Sequence, residues 1–261
     1  MNVIVCIKQV PGKFKVDIDP QSGALIKGGS DNIINPFDQN ALEEALRLKE
    51  KHGGKVSAVS MGPSQAAESL REAIALGADE AILLSDPAFD GSDTWATAHI
   101  LSLAIGKMGQ PDLIVCGRQT IDGETGQVGP ELAEMLGIPF VSCVSRIEGV
   151  AEGRVKMQRM ADEGHHIVEM QLPGAISVVK EINVPRLPSL RGLMQAKKAA
   201  ITVWNGQELG LDPTRVGSQG SPLRTVRVSR PQRSAQGEML QGSPESQVDQ
   251  LIEKLRHSRI L

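Results

Sequence analysis

A doubly wound α/β fold with a mostly parallel sheet is the architecture this sequence predicts, and three observations predict it. Short apolar runs recur through the first two-thirds of the chain, at 3–7, 56–60, 81–84, 113–116 and 140–144. The stretches between most of them have helical length and carry apolar residues along one face. After the run at 113–116, four glycines fall within residues 117–130, just before a helical segment. A bare turn at the carboxyl end of a central strand is where open α/β sheets bind nucleotides.

The elements follow in order. Residues 3–7 form the first strand, and 14–26 read as a hairpin with its turn at 19–23. Asn35 and Pro36 then open a helix, as N-cap and first helical residue. Phe37, Ala41, Leu42, Ala45 and Leu46 share a face of it, and Gly53-Gly54 ends it. Strand 56–60 leaves through Met61-Gly62-Pro63-Ser64 into a helix over about 65–76, stopped by Gly77. Strand 81–84 comes next, then a long helix capped by Asp93 and reaching about Met108. Strand 113–116 lies under the glycine turn, and a helix over 131–136 follows it.

From about residue 146 the character changes. Residues 154–160 and 167–172 flank the polar segment 161–166, as in an antiparallel ribbon with a turn. A last apolar strand covers 175–179. Pro185, Pro188 and Gly192 mark an ordered but irregular loop. The α/β nucleotide-binding domain is expected over 1–205. Residues 206–261 are rich in Gly, Ser, Pro, Gln and Arg, and cannot bury enough surface to fold alone. They are read as an extended arm, whose end regains an amphipathic pattern at Val248, Leu251, Ile252 and Leu255. An isolated helix of that length is marginal in water, so the arm is expected to dock on another chain, with packing on its own domain as the alternative.

Composition narrows the function. Hydrophobic residues make up 40%, enough for a core, but aromatics only 2% with no Tyr. A nucleic-acid reader built on stacking is therefore not expected, and a net charge of −3 gives no general affinity for polyanions. No apolar run approaches the ~20 residues of a membrane span. Cys6, Cys116 and Cys143 sit in apolar strand runs without metal-ligand spacing, and are read as small buried hydrophobes. Their odd number, with no signal segment, fits a cytoplasmic protein.

Three strand exits should meet at one edge of the sheet: Lys8-Gln9-Val10-Pro11, Met61-Gly62-Pro63-Ser64 and the glycine turn. Together they offer backbone groups to an adenine and amides to phosphates. The turn is neither a Walker A sequence nor a G-x-G-x-x-G fingerprint, so ATP hydrolysis is unsupported. Asp122 and Glu124 read as solvated or capping carboxylates rather than magnesium ligands. His165 and His166 lack a third ligand and read as a solvated hairpin tip. No nucleophile elbow is present, and no catalytic residue is expected. Leu187, Leu190 and Leu193 stand among cations on a proline-stiffened loop, either anchoring a partner or packing on their own sheet.

Several stretches together resemble the beta (small) subunit of electron-transfer flavoproteins. They are Ile34-Asn35-Pro36-Phe37-Asp38, Glu43 to Lys49, Val59-Ser60-Met61-Gly62-Pro63, Ala75-Leu76-Gly77-Ala78-Asp79, the glycine turn, and Pro185 to Lys198. The likeness spans about residues 1–200. It implies a heterodimer with a larger alpha subunit carrying an electron-transferring FAD, with the arm reaching over to that subunit. It makes the loop at Leu190, flanked by Leu187 and Leu193, the recognition element for a flavin-dependent dehydrogenase. It also implies a cofactor site of Cys6, Lys8, Asn35, Asp38, Met61, Gly62, Cys116, Gly117, Asp122, Gly123, Thr125, Gly126, Gln127 and Val128. Asp122, Thr125, Gln127 and Val128 would meet phosphates and ribose, and the backbone of Cys6 and Met61 the adenine.

The family divides on the occupant of that site. One type holds a structural AMP. The electron-bifurcating type holds a second FAD, which takes a hydride from NADH and passes electrons to the alpha-subunit FAD and to ferredoxin or flavodoxin. Residues 122–130 and 88–97 resemble the bifurcating type, with Gly126 where Ala is more usual. FAD is the expected occupant and AMP the alternative. A third reading, an ATP-binding domain of the adenine-nucleotide-hydrolase-like class, lacks phosphate-reactive residues.

Overall fold

The computed structural model describes residues 1–12, 17–18, 25–26, 32–226 and 237–261. The chain runs β1 (Asn2–Cys6), β2 (Gln9–Pro11), β3 (Asp17–Ile18), β4 (Leu25–Ile26), β5 (Asn32–Ile34) and α1 (Pro36–His52). It continues through β6 (Lys55–Met61), α2 (Ala67–Leu76), β7 (Glu80–Leu84), α3 (Thr94–Met108), β8 (Leu113–Gly117) and α4 (Val128–Leu136). Then come β9 (Phe140–Ala151), β10 (Arg154–Ala161), β11 (Gly164–Gln171), β12 (Gly174–Val178), α5 (Leu190–Lys198), β13 (Thr202–Trp204), α6 (Gly217–Gly220) and α7 (Pro244–His257).

Among the described residues one sheet has nine strands, in the order β11-β10-β9-β12-β8-β1-β6-β7-β13. The pairs from β9 through β13 are parallel, while β10 pairs antiparallel with both β9 and β11. This is the expected mostly parallel, doubly wound fold with an antiparallel ribbon. Alternating side chains divide the core between the two faces. Val3, Val5 and Val56 pack with Leu42, Leu46 and Leu70 of α1 and α2. Ile4, Val59 and Ile114 pack with Ile100, Ile105 and Leu132 of α3 and α4. From β1 the chain steps outward through β6 and β7, then returns to lay β8 on the other side of β1. The order therefore reverses between β1 and β8, and such a switch point opens a crevice outside the carboxyl ends of the strands.

Several elements differ from expectation. The hairpin expected over 14–26 shows its ladder, Asp17 opposite Ile26 and Ile18 opposite Leu25, while its turn at 19–23 lies outside the described residues. Residues 190–198, expected as irregular loop, form α5. Ser189 caps it by accepting from the Gly192 amide at 3.0 Å, and Leu, Met, Gln, Ala and Lys favour the helix beyond. His165 and His166 are exposed but lie in β11, paired with Met160 and Arg159, not at the ribbon's tip.

The described residues divide into two compact units, the first within 1–226 and the second within 237–261. The first unit thus extends past 205. Ser221 accepts from the Asp93 amide at 2.8 Å, Asp93 accepts from the Leu223 amide at 3.0 Å, and Val216 is buried. A segment too polar to fold alone is thereby fastened to the start of α3. The second unit contains α7, with Val248 and Leu251 exposed. Among the described residues no helix is long and apolar enough to cross a membrane.

Candidate functional site

The switch point assembles the site. Cys6 lies in register with Val59 on one side and Cys116 on the other, so β8, β1 and β6 end within two residues of one another. The Ile7 amide donates to Val59 O at 2.8 Å, and the Gly62 amide to Leu84 O at 3.0 Å. The three exits expected to converge therefore do so. Cys116 is buried, whereas Cys6 and Cys143 are only half-buried, which corrects the expectation that all three are buried. The neighbouring Cys6 thiol and burial together hold the Cys116 thiol well above its ordinary range.

Two side chains at the start of α1 brace the crevice. Asn35 occupies the cap position but makes no cap hydrogen bond. Its Nδ2 instead donates to Gln119 O at 2.9 Å, and its Oδ1 accepts from the Ile121 amide at 3.1 Å. Asp38 Oδ2 accepts from the Lys8 amide at 2.8 Å, and Oδ1 from the Gly117 amide at 3.2 Å. Burial pushes the Asp38 carboxyl up to about 7, opposed by those two amides, by Asn35 and by the Lys8 charge. Both residues were expected at the site, but their side chains are spent on holding backbone.

Lys8 Nζ grips both carboxylate oxygens of Asp122, at 2.7 and 3.0 Å, across the crevice mouth. Burial raises the Asp122 carboxyl, but the hydrogen bonds from Lys8 and Thr120 outweigh it and hold it below its usual range. Asp122 is thus neutralised by a cation of its own chain, and among the described residues no cluster suits a metal.

The turn itself has a left-handed residue at Glu124, φ 53°, and another at Gly126, φ 64°. The amides of Thr125, Gly126, Gln127 and Val128 have no hydrogen-bond partner among the described residues. They lie immediately before and within the first turn of α4. Free amides in a turn that opens a helix form a concave anion seat. The residues present therefore fit the phosphates of a nucleotide.

Two further residues were not singled out from the sequence. Thr94, first in α3, donates to Glu131 Oε1 at 3.2 Å and stands 3.5 Å from Gln127 Oε1. The other oxygen of Glu131 is buried without a partner, and burial raises its carboxyl. The only sequence signal for this corner was the motif at 88–97, because it forms where two helix starts meet.

The leucine segment lies elsewhere on the first unit. Leu187 and Leu190 are 89% and 77% exposed, and Leu193 and Met194 are exposed with them, so they do not pack on their own sheet. The segment is nonetheless fixed. Arg186 Nε donates to Glu43 at 2.7 Å and its guanidinium also reaches Glu50, while Asn40 Nδ2 donates to Asn183 Oδ1 and Asn183 Nδ2 to the Asn40 carbonyl.

Residues 23–209 match the family model described as the electron transfer flavoprotein domain. The chain is 45% identical to the electron transfer flavoprotein subunit beta of Thermoanaerobacterium thermosaccharolyticum, over 100% of both chains. It is 43% identical to the caffeyl-CoA reductase-Etf complex subunit CarD of Acetobacterium woodii, again over 100% of both. It is 40% identical to protein FixA of Sinorhizobium fredii, over 88% of this chain and 84% of that one.

Proposed function

We propose that this chain, which belongs to the electron transfer flavoprotein family as a beta subunit, holds FAD in the crevice outside β1 and β8 and exchanges electrons with a larger alpha subunit. The observation that carries the nucleotide part of this reading is the row of amides from Thr125 to Val128 at the switch point, without a partner among the described residues. These amides would hold the diphosphate, with Thr125, Gln127 and Asp122 beside the ribose and phosphates. The backbone at Cys6 and at Met61-Gly62 would border the adenine, and Cys116 the crevice floor. Gly123 keeps the turn small, and Lys8, Asn35, Asp38 and Gly117 fix its shape.

When bound, the flavin would supply the redox chemistry, accepting a hydride from NADH and passing electrons singly to the alpha-subunit FAD and to ferredoxin or flavodoxin. The chain's own residues would bind, orient and shield it, and none is assigned a proton transfer to substrate. In the second reading the same amides hold the phosphate of AMP, which leaves redox chemistry to the alpha subunit. The reading of FAD rests on the motifs at 122–130 and 88–97. Denaturing the purified heterodimer and counting released nucleotides separates the two. Two FAD per heterodimer is the expected count, and one FAD with one AMP would overturn it.

The partner surface is assigned to Leu187, Leu190 and Leu193, with a flavin-dependent dehydrogenase or reductase acting on CoA thioesters as the partner. Two relatives carry such names, one from a caffeyl-CoA reductase complex and one an acryloyl-CoA reductase electron transfer subunit. The exposed apolar residues of α7 would face the alpha subunit, and the free thiols suit a cytoplasmic setting. Leu190→Ala should leave folding stability within ~0.5 kcal/mol, because the side chain is exposed. It should slow dehydrogenase-linked reduction by about tenfold, as loss of an interface anchor does. An unchanged rate, with flavin content intact, would remove Leu190 from the partner surface.

A further inference from the structure

Helix α5 presents a different chemistry on each of its faces. Gly192 and Ala196, one turn apart, are buried. A Cβ on Gly192 would run into the Ala75 carbonyl oxygen of α2, so α5 lies directly on that neighbour. Leu190 and Met194, also one turn apart, point the opposite way and are exposed. Between these faces stand Arg191 and Gln195, which line a cavity of about 540 Å³ with Lys49, Asp79, Glu80 and Thr202. Glu80 and Thr202 open β7 and β13, so the cavity lies at the opposite end of the sheet from the crevice.

The charges on this side of the molecule do not balance within the chain. Residues 182–207 hold Arg186, Arg191, Lys197 and Lys198 and no acidic residue. Arg186 is matched by Glu43 and Glu50. The two acids of the cavity are matched as well, Asp79 by Lys49 at 2.6 Å and Glu80 by Lys55 at 2.6 Å. Lys197 and Lys198 lie in the last turn of α5, where the helix dipole favours cations. Arg191 lies in the first turn, where the dipole disfavours them and where no acidic residue offsets it. Its guanidinium pairs with no carboxylate among the described residues, Glu68 and Glu72 of the facing α2 included. This charge does nothing for the helix that carries it and stands open to an anion from outside.

We propose that Arg191 reads the charge of the partner, so that a dehydrogenase seated on the leucines places one of its own carboxylates on the Arg191 guanidinium at the cavity mouth. The inference rests on the partner reading of Leu187, Leu190 and Leu193. It adds the chemistry of the partner's face, which is an apolar recess for Leu190 with an acidic side chain beside it. A guanidinium can donate two parallel hydrogen bonds to a carboxylate, so it orients the partner as well as attracting it. The apolar contact at Leu190 is insensitive to salt, whereas an exposed charge pair at Arg191 is screened by it. Two adjacent residues of one helix therefore leave separate signatures.

The test uses the intact heterodimer and a flavin-dependent acyl-CoA dehydrogenase that reduces it, with flavin bleaching followed at low and high salt. The rate constant of the natural chain should fall about tenfold between ~20 and ~200 mM salt. Arg191→Gln should be about fivefold slower than the natural chain at the lower salt and should match it at the higher. Arg191→Lys, which restores the charge, should restore the salt dependence. Leu190→Ala should be slow at both. Circular dichroism and flavin content show that each variant is folded and loaded. A salt-independent rate in the natural chain would overturn the proposal, as would an Arg191→Gln rate equal to the natural one at low salt. In either case a persisting Leu190→Ala defect would leave the partner surface standing. An Arg191→Gln defect of the same size at both salts would also overturn it, by making the residue structural. If Leu190→Ala were as fast as the natural chain, the partner reading and this inference would fall together.

Discussion

Gly117→Ala should cost about 3 kcal/mol of folding stability and empty the crevice. A Cβ at this position would run into the Asp38 carboxylate, and would stand 2.7 Å from Phe37 Cβ and 2.8 Å from the Phe37 carbonyl carbon. The last of these is helix backbone and cannot swing aside. The helix cannot retreat either, because Leu42, Ala45 and Leu46 fix α1 to the sheet. Overpacking of this kind costs roughly 1–3 kcal/mol, and a displaced Asp38 would leave a buried carboxyl without its donors, at roughly 1–3 kcal/mol more. Partial relaxation keeps the sum in the lower half of the combined range, at about 3 kcal/mol. Urea unfolding gives the stability, and nucleotide retained through gel filtration gives the occupancy.

Two other glycines provide the scale. At Gly123 an added Cβ meets only Thr120 Oγ1, at 3.5 Å, so alanine there should be tolerated. At Gly126 the φ of 64° makes alanine cost about 1 kcal/mol. If Gly117→Ala behaved like Gly123→Ala, the close approach of α1 to the turn would be wrong.

Arg186→Ala is the second large effect, at about 2 kcal/mol. Glu43 is 5% exposed and binds the Arg186 Nε and the Arg47 Nε, each at 2.7 Å, as well as the Arg186 amide at 3.2 Å. Removing one partner of a fully buried pair costs about 3–5 kcal/mol, because the remaining charge is stranded. Arg186 is one-third exposed and Arg47 remains, so solvent screening lowers the figure.

The dependence on pH identifies the cause. Burial raises the Glu43 carboxyl, but the hydrogen bonds from Arg186 and Arg47 outweigh it, and the folded value lies below the usual one. A depressed carboxyl contributes stability above its unfolded value, about 4.3, and that contribution is lost as pH falls through the folded value. The natural chain and Arg186→Ala should therefore differ most above about pH 5 and converge in acid. A gap that persists at pH 3 would assign the loss to packing instead. Because Arg186 immediately precedes Leu187, the variant should also slow dehydrogenase-linked reduction with every leucine in place.

Much of the fold could be read from the chain because its signals are local. Apolar runs announced β1, β6, β7, β8 and β12 to within a residue or two, and Asp93 caps α3 as expected by accepting from the Ala96 amide. The place of β8 beside β1 could not be read that way, since periodicity says which face of a strand is buried and not which strand is its neighbour. In α5, Pro185, Pro188 and Gly192 outweighed the one residue that mattered, the Ser189 cap. The glycine turn was evident from its composition. Asn35 was not understood, because its local pattern is that of a cap while its partners lie 84 and 86 residues away.

All four ties from α1 to the crevice end on main-chain atoms: the Lys8, Gly117 and Ile121 amides and the Gln119 carbonyl. The framework therefore recognises the path of the chain and is largely indifferent to the side chains that path displays. On the nucleotide reading, side chains such as those at 123, 125 and 127 can be exchanged, and the preferred ligand retuned, without breaking these four ties. A subunit built in this way can change its cargo by drift at a few positions while its architecture stays still.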